Sequence, residues 1–125
     1  MKIKLPVITK NVIDEQGKRI FEYEDQDFEV DTSLGLEMRR ESKFPEIAKN
    51  ETVVAYAQRI NERAGNDIVG VLSKLKVIYC YFDTSMTFEN FVKMFDFSQK
   101  DYIEKLIARI KAAFELLLDG AAEKN

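Results

Sequence analysis

The chain has 125 residues, of which 46% are hydrophobic and 33% charged, and its formal net charge is -3. These values describe one folded domain large enough to bury a core without disulfides or metal. They exclude a disordered chain and a general electrostatic attraction to nucleic acid or anionic membrane. Histidine is absent and cysteine occurs once, which removes the commonest general base, the usual zinc spacings and any internal disulfide.

The opening Met-Lys-Ile-Lys-Leu-Pro is charged and alternating, with no apolar run behind it, which is not the pattern of a secretory signal. Ile3, Leu5 and Val7 alternate with Lys2, Lys4 and Pro6, a period of two that predicts a strand. Pro6 makes it an edge strand or an extended arm. Asp14-Glu15-Gln16-Gly17 reads as a turn, with Gly17 free to take positive φ. Arg19 to Tyr23 reads as a second extended segment, Asp25-Gln26-Asp27 as another turn, and Phe28-Glu29-Val30 as a third short run. A hairpin alone is marginal in water. This unit is therefore either a β appendage packed on the domain or an arm whose edge pairs with another chain.

At Asp31-Thr32-Ser33 the pattern changes to good helix N-caps. A short helix is predicted from Leu34 to about Glu41, with Leu34, Met38 and Leu36 inward and Arg39, Arg40 and Glu41 solvated. Pro45 ends it, and Phe44 and Ile47 are expected to plug the core edge. Asn50 is the expected cap of a helix from Glu51 to Ala64, with Val53, Val54, Ala57, Ile60 and Ala64 on its apolar face. Gly65 is expected to close it in a left-handed conformation, and Asn66 to cap the next helix. That helix is the centre of the sequence. Ile68, Val71, Leu72, Leu75, Ile78, Tyr79 and Phe82 step by three and four along one face. Val69, Val77, Cys80 and Tyr81 widen the stripe, as in a helix with neighbours on several sides. Its longest apolar run, Val77 to Phe82, is far short of the roughly 20 residues of a membrane span.

A loop is expected at Asp83-Thr84-Ser85-Met86. Thr87 then caps a helix from Phe88 to Phe95. Phe88, Phe91, Phe95 and Phe97 form an aromatic cluster that is either a core lid over the central helix or an exposed docking patch. Ser98-Gln99-Lys100-Asp101 resembles a capping box. It opens a last helix from about Gln99 to Asp119, with Tyr102, Leu106, Ile110, Ala113 and Leu117 on its apolar stripe. Gly120 is expected to stop it, leaving Ala121 to Asn125 frayed. The whole reads as a mainly α, α+β fold. It is a single domain over residues 1–125, with an extended N-terminal part (1–31) of two or three antiparallel strands and a helical part (32–120) of about five helices.

No residue pattern carries catalysis. Glu22, Glu24, Asp25, Asp27 and Glu29 are an acidic run but not a calcium loop, and read as a solvated strand edge. No phosphate-cradling motif follows Gly65 or Gly70. The serines have no histidine partner. Lys74 and Lys76 read as a solvated face. Cys80 reads as a small core residue. Arg39-Arg40 is the one basic doublet near aromatics and is flanked by acids, which does not suit a DNA-reading helix. Lys105, Arg109 and Lys111 alternate with acids as ordinary surface charge. The chain is thus expected to be no enzyme, to hold no cofactor or metal, and to bind neither nucleic acid nor membrane.

Five stretches in order are distinctive: Phe28 to Leu34, Met38-Arg39-Arg40-Glu41-Ser42-Lys43-Phe44-Pro45, Glu51 to Ala57, Leu72 to Phe82 and Thr87 to Phe91. Together they resemble the tail assembly chaperones of long-tailed (siphovirus-type) phages and prophages of Gram-positive bacteria, over about residues 1 to 118. The resemblance implies a non-catalytic protein that binds the helical, aggregation-prone tape measure protein while the tail tube polymerises. It also implies action in the cytoplasm of the bacterial host and absence from the mature virion. In such families a longer frameshifted product recruits the tail tube protein, and this chain corresponds to the short product. Homo-oligomerisation fits promiscuous coating of a long client. The family gives no binding residues. The residues themselves suggest Arg39, Arg40, Phe44 and Pro45 first, because Arg and aromatics are favoured interface anchors. Phe88, Phe91 and Phe95 come second. The alternative reading is a small structural tail or tail-completion protein retained in the virion.

Overall fold

Alternating side chains and a tight turn shape the first element. A computed structural model describes residues 1–32, 34–82 and 84–123. Among them, β1 (Lys2–Ile13) and β2 (Arg19–Glu29) form one antiparallel hairpin. Lys2 stands opposite Glu29 and Ile13 opposite Arg19, with an irregularity between Ile8 and Lys10. The turn lies where the sequence puts it. The Asp14 carboxylate accepts from the amides of Gln16 and Lys18 at 2.9 and 2.8 Å, and Gly17 takes φ 79°.

The expected second turn does not form. β2 runs straight through Asp25-Gln26-Asp27, so among the described residues the sheet has two strands. The reason is electrostatic pairing across the fold. Asp27 lies 3.9 Å from the ammonium of Lys4 on β1, and Asp25 lies 2.6 Å from Arg109 on the last helix. Carboxylates that break a strand in isolation are here held by cations on neighbouring elements.

Five helices follow: α1 (Gly35–Lys43), α2 (Val53–Arg63), α3 (Ile68–Cys80), α4 (Phe88–Val92) and α5 (Lys100–Glu123). The chain is therefore a small α+β domain, as its periodicities predict. α3 touches α1, α2, α4 and α5, and α5 lies along β1. Tyr102 of α5 is 1% exposed and donates its hydroxyl to the Pro6 carbonyl at 2.6 Å, which ties helix to hairpin. Ile3, Leu5, Val71, Leu75, Ile78, Phe91, Leu106, Ile110, Phe114 and Leu117 join in one core. Phe44 and Ile47 close its edge, as expected.

Several boundaries shift by one to four residues. Thr52, not Asn50, caps α2, accepting from the Ala55 amide at 3.1 Å; Asn50 sits in the preceding loop with φ 64°. Asp67, not Asn66, caps α3, accepting from the Gly70 amide at 3.0 Å. Gly65 is not left-handed. The glycine that matters is Gly70, where a Cβ would lie 2.0 Å from the Gly65 carbonyl oxygen. Thr87 caps α4 as predicted, at 3.1 Å from the Asn90 amide, but α4 ends at Val92. Ser98 donates its hydroxyl to Asp96 at 2.8 Å rather than forming a capping box. α5 passes Gly120 without stopping and reaches Glu123. The expected cap Ser33, the loop residue Asp83 and the tail residues Lys124 and Asn125 lie outside the described residues.

Two apolar faces are corrected. On α1, Leu36 alone turns inward, while Leu34 and Met38 are 81% and 71% exposed. Inward orientation of Leu36 also carries Arg39 and Arg40 toward the body, three and four residues on. At the start of α3, Ile68 and Val69 are 54% and 71% exposed, because this first turn stands clear of the core. From Val77 to Phe82 every side chain is buried.

Candidate functional site

Four of the five distinctive stretches meet at one place. The end of α1, the second half of α3 and the whole of α4 converge beside the base of β2. Phe28 stacks on Phe82 with centroids 5.1 Å apart, and both meet Phe91 edge-on. Phe44 meets the rings of Tyr79 at 5.7 Å and Phe88 at 5.4 Å. Edge-to-face geometry of this kind adds a modest attraction to the burial of the rings.

The arginines expected to be solvated are not. Arg39 is the clamp between α1 and the end of α3. Its guanidinium donates to the Cys80 carbonyl at 3.2 Å, the Asp31 carboxylate at 3.0 Å and the Asp31 carbonyl at 3.2 Å. Arg40 donates to the Ile47 carbonyl at 3.2 Å and to Glu41 at 2.9 Å. Its buried Nε lies 3.8 Å from Glu37, an ion-pair contact too long for a hydrogen bond. With side chains only 14% and 12% exposed, both arginines hold the fold and are not free to anchor a partner. Phe91 and Phe95 are core residues at 1% and 6% exposure, so those two belong to the lid and not to a docking patch.

What remains at the surface is a groove between α1 and α4. It encloses about 350 Å³ and is lined by Lys43, Phe44, Tyr79, Met86 and Phe88. Phe88 is half-buried and Pro45 is exposed beside Phe44. The Tyr79 hydroxyl donates to the Met86 carbonyl and so fixes the groove floor to the loop before α4. Of the seven residues singled out in the sequence, Phe44 and Phe88 line this groove, Pro45 lies next to Phe44, and Arg39, Arg40, Phe91 and Phe95 do not line it.

Lys43, Tyr79 and Met86, which line the groove, and Lys76, which stands beside its Phe44 and Phe88 rings, were not legible from the sequence. Lys43 follows Arg39 and Arg40 at helical spacing on the inward side of α1, and Lys76 stands three residues before Tyr79 on α3. Those two spacings are the only sequence signal, and they gain meaning once α1 is known to lie on α3. Lys76 is half-buried among rings and not solvated as expected.

The one thiol is not positioned for chemistry. Burial pushes Cys80 from its ordinary 9.0 to about 11, against the lowering pull of Arg40, Lys43 and Arg39. Tyr81 beside it is raised to about 12, again by burial. Among the described residues no group of three acidic, cysteine or histidine side chains stands together to hold a metal ion, and no helix is long and apolar enough to cross a membrane. Comparison with protein families, with curated proteins and with solved structures gives no match. The groove is open and aromatic, and its floor residue Tyr79 is tied to the loop before α4.

Proposed function

We propose that this chain is a phage tail assembly chaperone, a non-catalytic protein that coats the helical tape measure protein until the tail tube encloses it. The observation that carries the reading is the convergence just described. Met38 to Pro45, Leu72 to Phe82 and Thr87 to Phe91, which are three of the stretches on which the resemblance rests, share the walls of one open aromatic groove. Leu34 and Met38, one turn apart and exposed on the outer side of α1, add a second apolar strip of the kind that covers client surface. A long client coated by many weak copies needs no deep pocket.

The test is co-expression of the full chain with the tape measure protein of the same genome, followed by affinity capture. Soluble client captured with several copies of this chain is the expected result. Client that stays insoluble, with nothing captured, overturns the reading.

One feature favours a second reading. Residues 9–13 and 15–19, at the far end of the hairpin, are all exposed. Such an arm suits a permanent joint in a virion, as in a small tail or tail-completion protein. Denaturing gels of purified particles separate the two, because a chaperone leaves no band there and a structural protein does.

A further inference from the structure

The hairpin has one closed edge and one open edge. On β1, the Ile8 amide donates to the Met94 carbonyl at 3.0 Å, and the Pro6 carbonyl accepts the Tyr102 hydroxyl at 2.6 Å. Pro6 has no amide to offer. These groups point away from β2. Residues directly opposite in an antiparallel ladder either bond to each other or both face outward. Tyr23 stands opposite Ile8, and Asp25 opposite Pro6. The amides and carbonyls of Tyr23 and Asp25 therefore point away from β1, and by alternation so do those of Asp27. Among the described residues, no hydrogen bond from elsewhere in the chain reaches these backbone groups, and no element besides β1 runs beside β2.

A cavity of about 200 Å³ lies at the foot of this open edge. Asp27, Phe28 and Glu29 of β2 line it together with Phe82, Met86 and Phe91, and no residue of β1 does. The strand is also acidic: Glu22, Glu24, Asp25, Asp27 and Glu29 share it with one cation, Arg19. Asp25, Asp27 and Glu29 are paired with Arg109, Lys4 and Lys2. Among the described residues, Glu22 and Glu24 have no cation within ion-pair distance. Both are exposed, and both lie on the same face of β2 as Phe28, at alternate positions.

We infer that β2 takes up an extended segment of a partner protein as an added strand, with an apolar residue beside Phe28 and lysines or arginines beside Glu24 and Glu22. The main chain of that segment bonds to the outward amides and carbonyls of Tyr23, Asp25 and Asp27. Its apolar side chain enters the cavity between Phe28, Phe82 and Met86. Its cations give Glu22 and Glu24 the charge partners that the chain itself does not bring. Main-chain bonds supply affinity in such a joint, and the cavity and the charges supply selectivity. A second copy of this chain does not fit the edge. Its β2 would set acid against acid, and its β1 edge is closed by Met94 and Tyr102. The inference is independent of the chaperone reading, which concerns the groove between α1 and α4.

The test uses the full chain and two short synthetic peptides of valine and threonine with one leucine anchor. They differ only at the two positions that face Glu24 and Glu22, which are lysine in one and glutamate in the other. Affinity is read by fluorescence anisotropy, and the lysine peptide is expected to bind about tenfold tighter. Amide exchange of the wild-type chain gives the signature of an added strand. Exchange at Tyr23, Asp25 and Asp27 is expected to slow when the lysine peptide binds, while Glu24 and Gln26, already bonded to β1, do not change. Asp27→Pro removes an outward amide and spares the ladder, as Pro6 does on the other strand. It is expected to abolish binding where Asp27→Asn retains it, with circular dichroism confirming the fold, and Glu24→Lys is expected to reverse the charge preference. Binding of neither peptide, equal binding of both, or binding without slowed exchange at those three amides overturns the inference. So does binding that a folded Asp27→Pro variant leaves intact. The exchange pattern is read on the wild-type chain, so it decides the matter even where Asp27→Pro does not fold. Self-association of the chain that slows exchange at the same three amides overturns it as well, by assigning the edge to a second copy.

Discussion

The two halves of the hairpin share one antiparallel ladder and differ in what covers them. At the base, Ile3, Leu5, Pro6 and Val7 are buried, and above them Tyr23 and Phe21, opposite Ile8 and Asn11, meet the ring of Tyr102 at 5.0 and 5.3 Å. At the tip, Val12 and Ile13 are 47% and 66% exposed. The base is a strand pair because α5 and the aromatic cluster cover it. The tip is a strand pair because Asp14 and Gly17 make a tight turn and the ladder continues from below. Burial holds one half and local geometry the other. A region held by local geometry alone can be changed without unfolding the domain, and can be offered to a partner.

The largest expected contrast comes from truncating one apolar side chain in each half. Leu5→Ala, at 0% exposure, is expected to cost about 3 kcal/mol in a urea titration. If it costs no more than a surface change, the base is not held by burial and the comparison fails.

Alkaline pH is the next lever. Cys80 stands at about 11 in place of 9.0 and Tyr81 at about 12 in place of 10.0, both held neutral by burial. Tyr102, at the hairpin base, is shifted upward for the same reason. Each favours the proton-bound form in the folded state. Their contribution is complete below about pH 9, and is lost as the pH climbs toward 12. The loss is on the order of 2 kcal/mol for each of Cys80 and Tyr81. Urea midpoints measured from pH 7 to 11 are expected to be flat at first and then to fall. A midpoint that rises in that window contradicts the burial of these groups.

Tyr102→Phe removes the bond to the Pro6 carbonyl and leaves the ring packing in place. A loss of about 1 to 2 kcal/mol is expected, together with faster amide exchange in residues 3–8 than in α3. No change in exchange there would mean that the hairpin base is held by its apolar contacts alone. Smallest of all, Ile13→Thr at the tip is expected to change stability by less than about 0.5 kcal/mol. If it also leaves client capture intact, the tip has no part in binding. If it abolishes capture without unfolding the chain, the arm is an interaction surface.

The sequence is legible wherever a residue's role depends on its near neighbours. Ile3, Leu5 and Val7 announce a strand by alternation, Asp14 and Gly17 a turn, Thr87 a cap, and Tyr102 to Leu117 a helix stripe. It misleads where a distant residue changes the meaning of a local pattern. Asp25 and Asp27 look like turn residues until Arg109 and Lys4 neutralise them. Arg39 and Arg40 look solvated until Asp31 and the carbonyls of Cys80 and Ile47 are brought to them. Ile68 and Val69 share the spacing of the core stripe but stand beyond the point where neighbours reach.

The same division runs through the candidate site. Phe88 was visible as an aromatic at helical spacing and Phe44 as an aromatic in the break between two helices, though neither pattern tells which ring edge stays open. Composition and periodicity determined the class of the domain, its central helix and its N-terminal hairpin, because backbone bonding and the burial of apolar faces act through residues a few positions apart. The tertiary structure alone decided which cations are paired and which are left over. Charge pairing acts between side chains brought together from far apart in the chain, and no local pattern records which of them will meet. That decision left Lys43 and Lys76 beside aromatic rings.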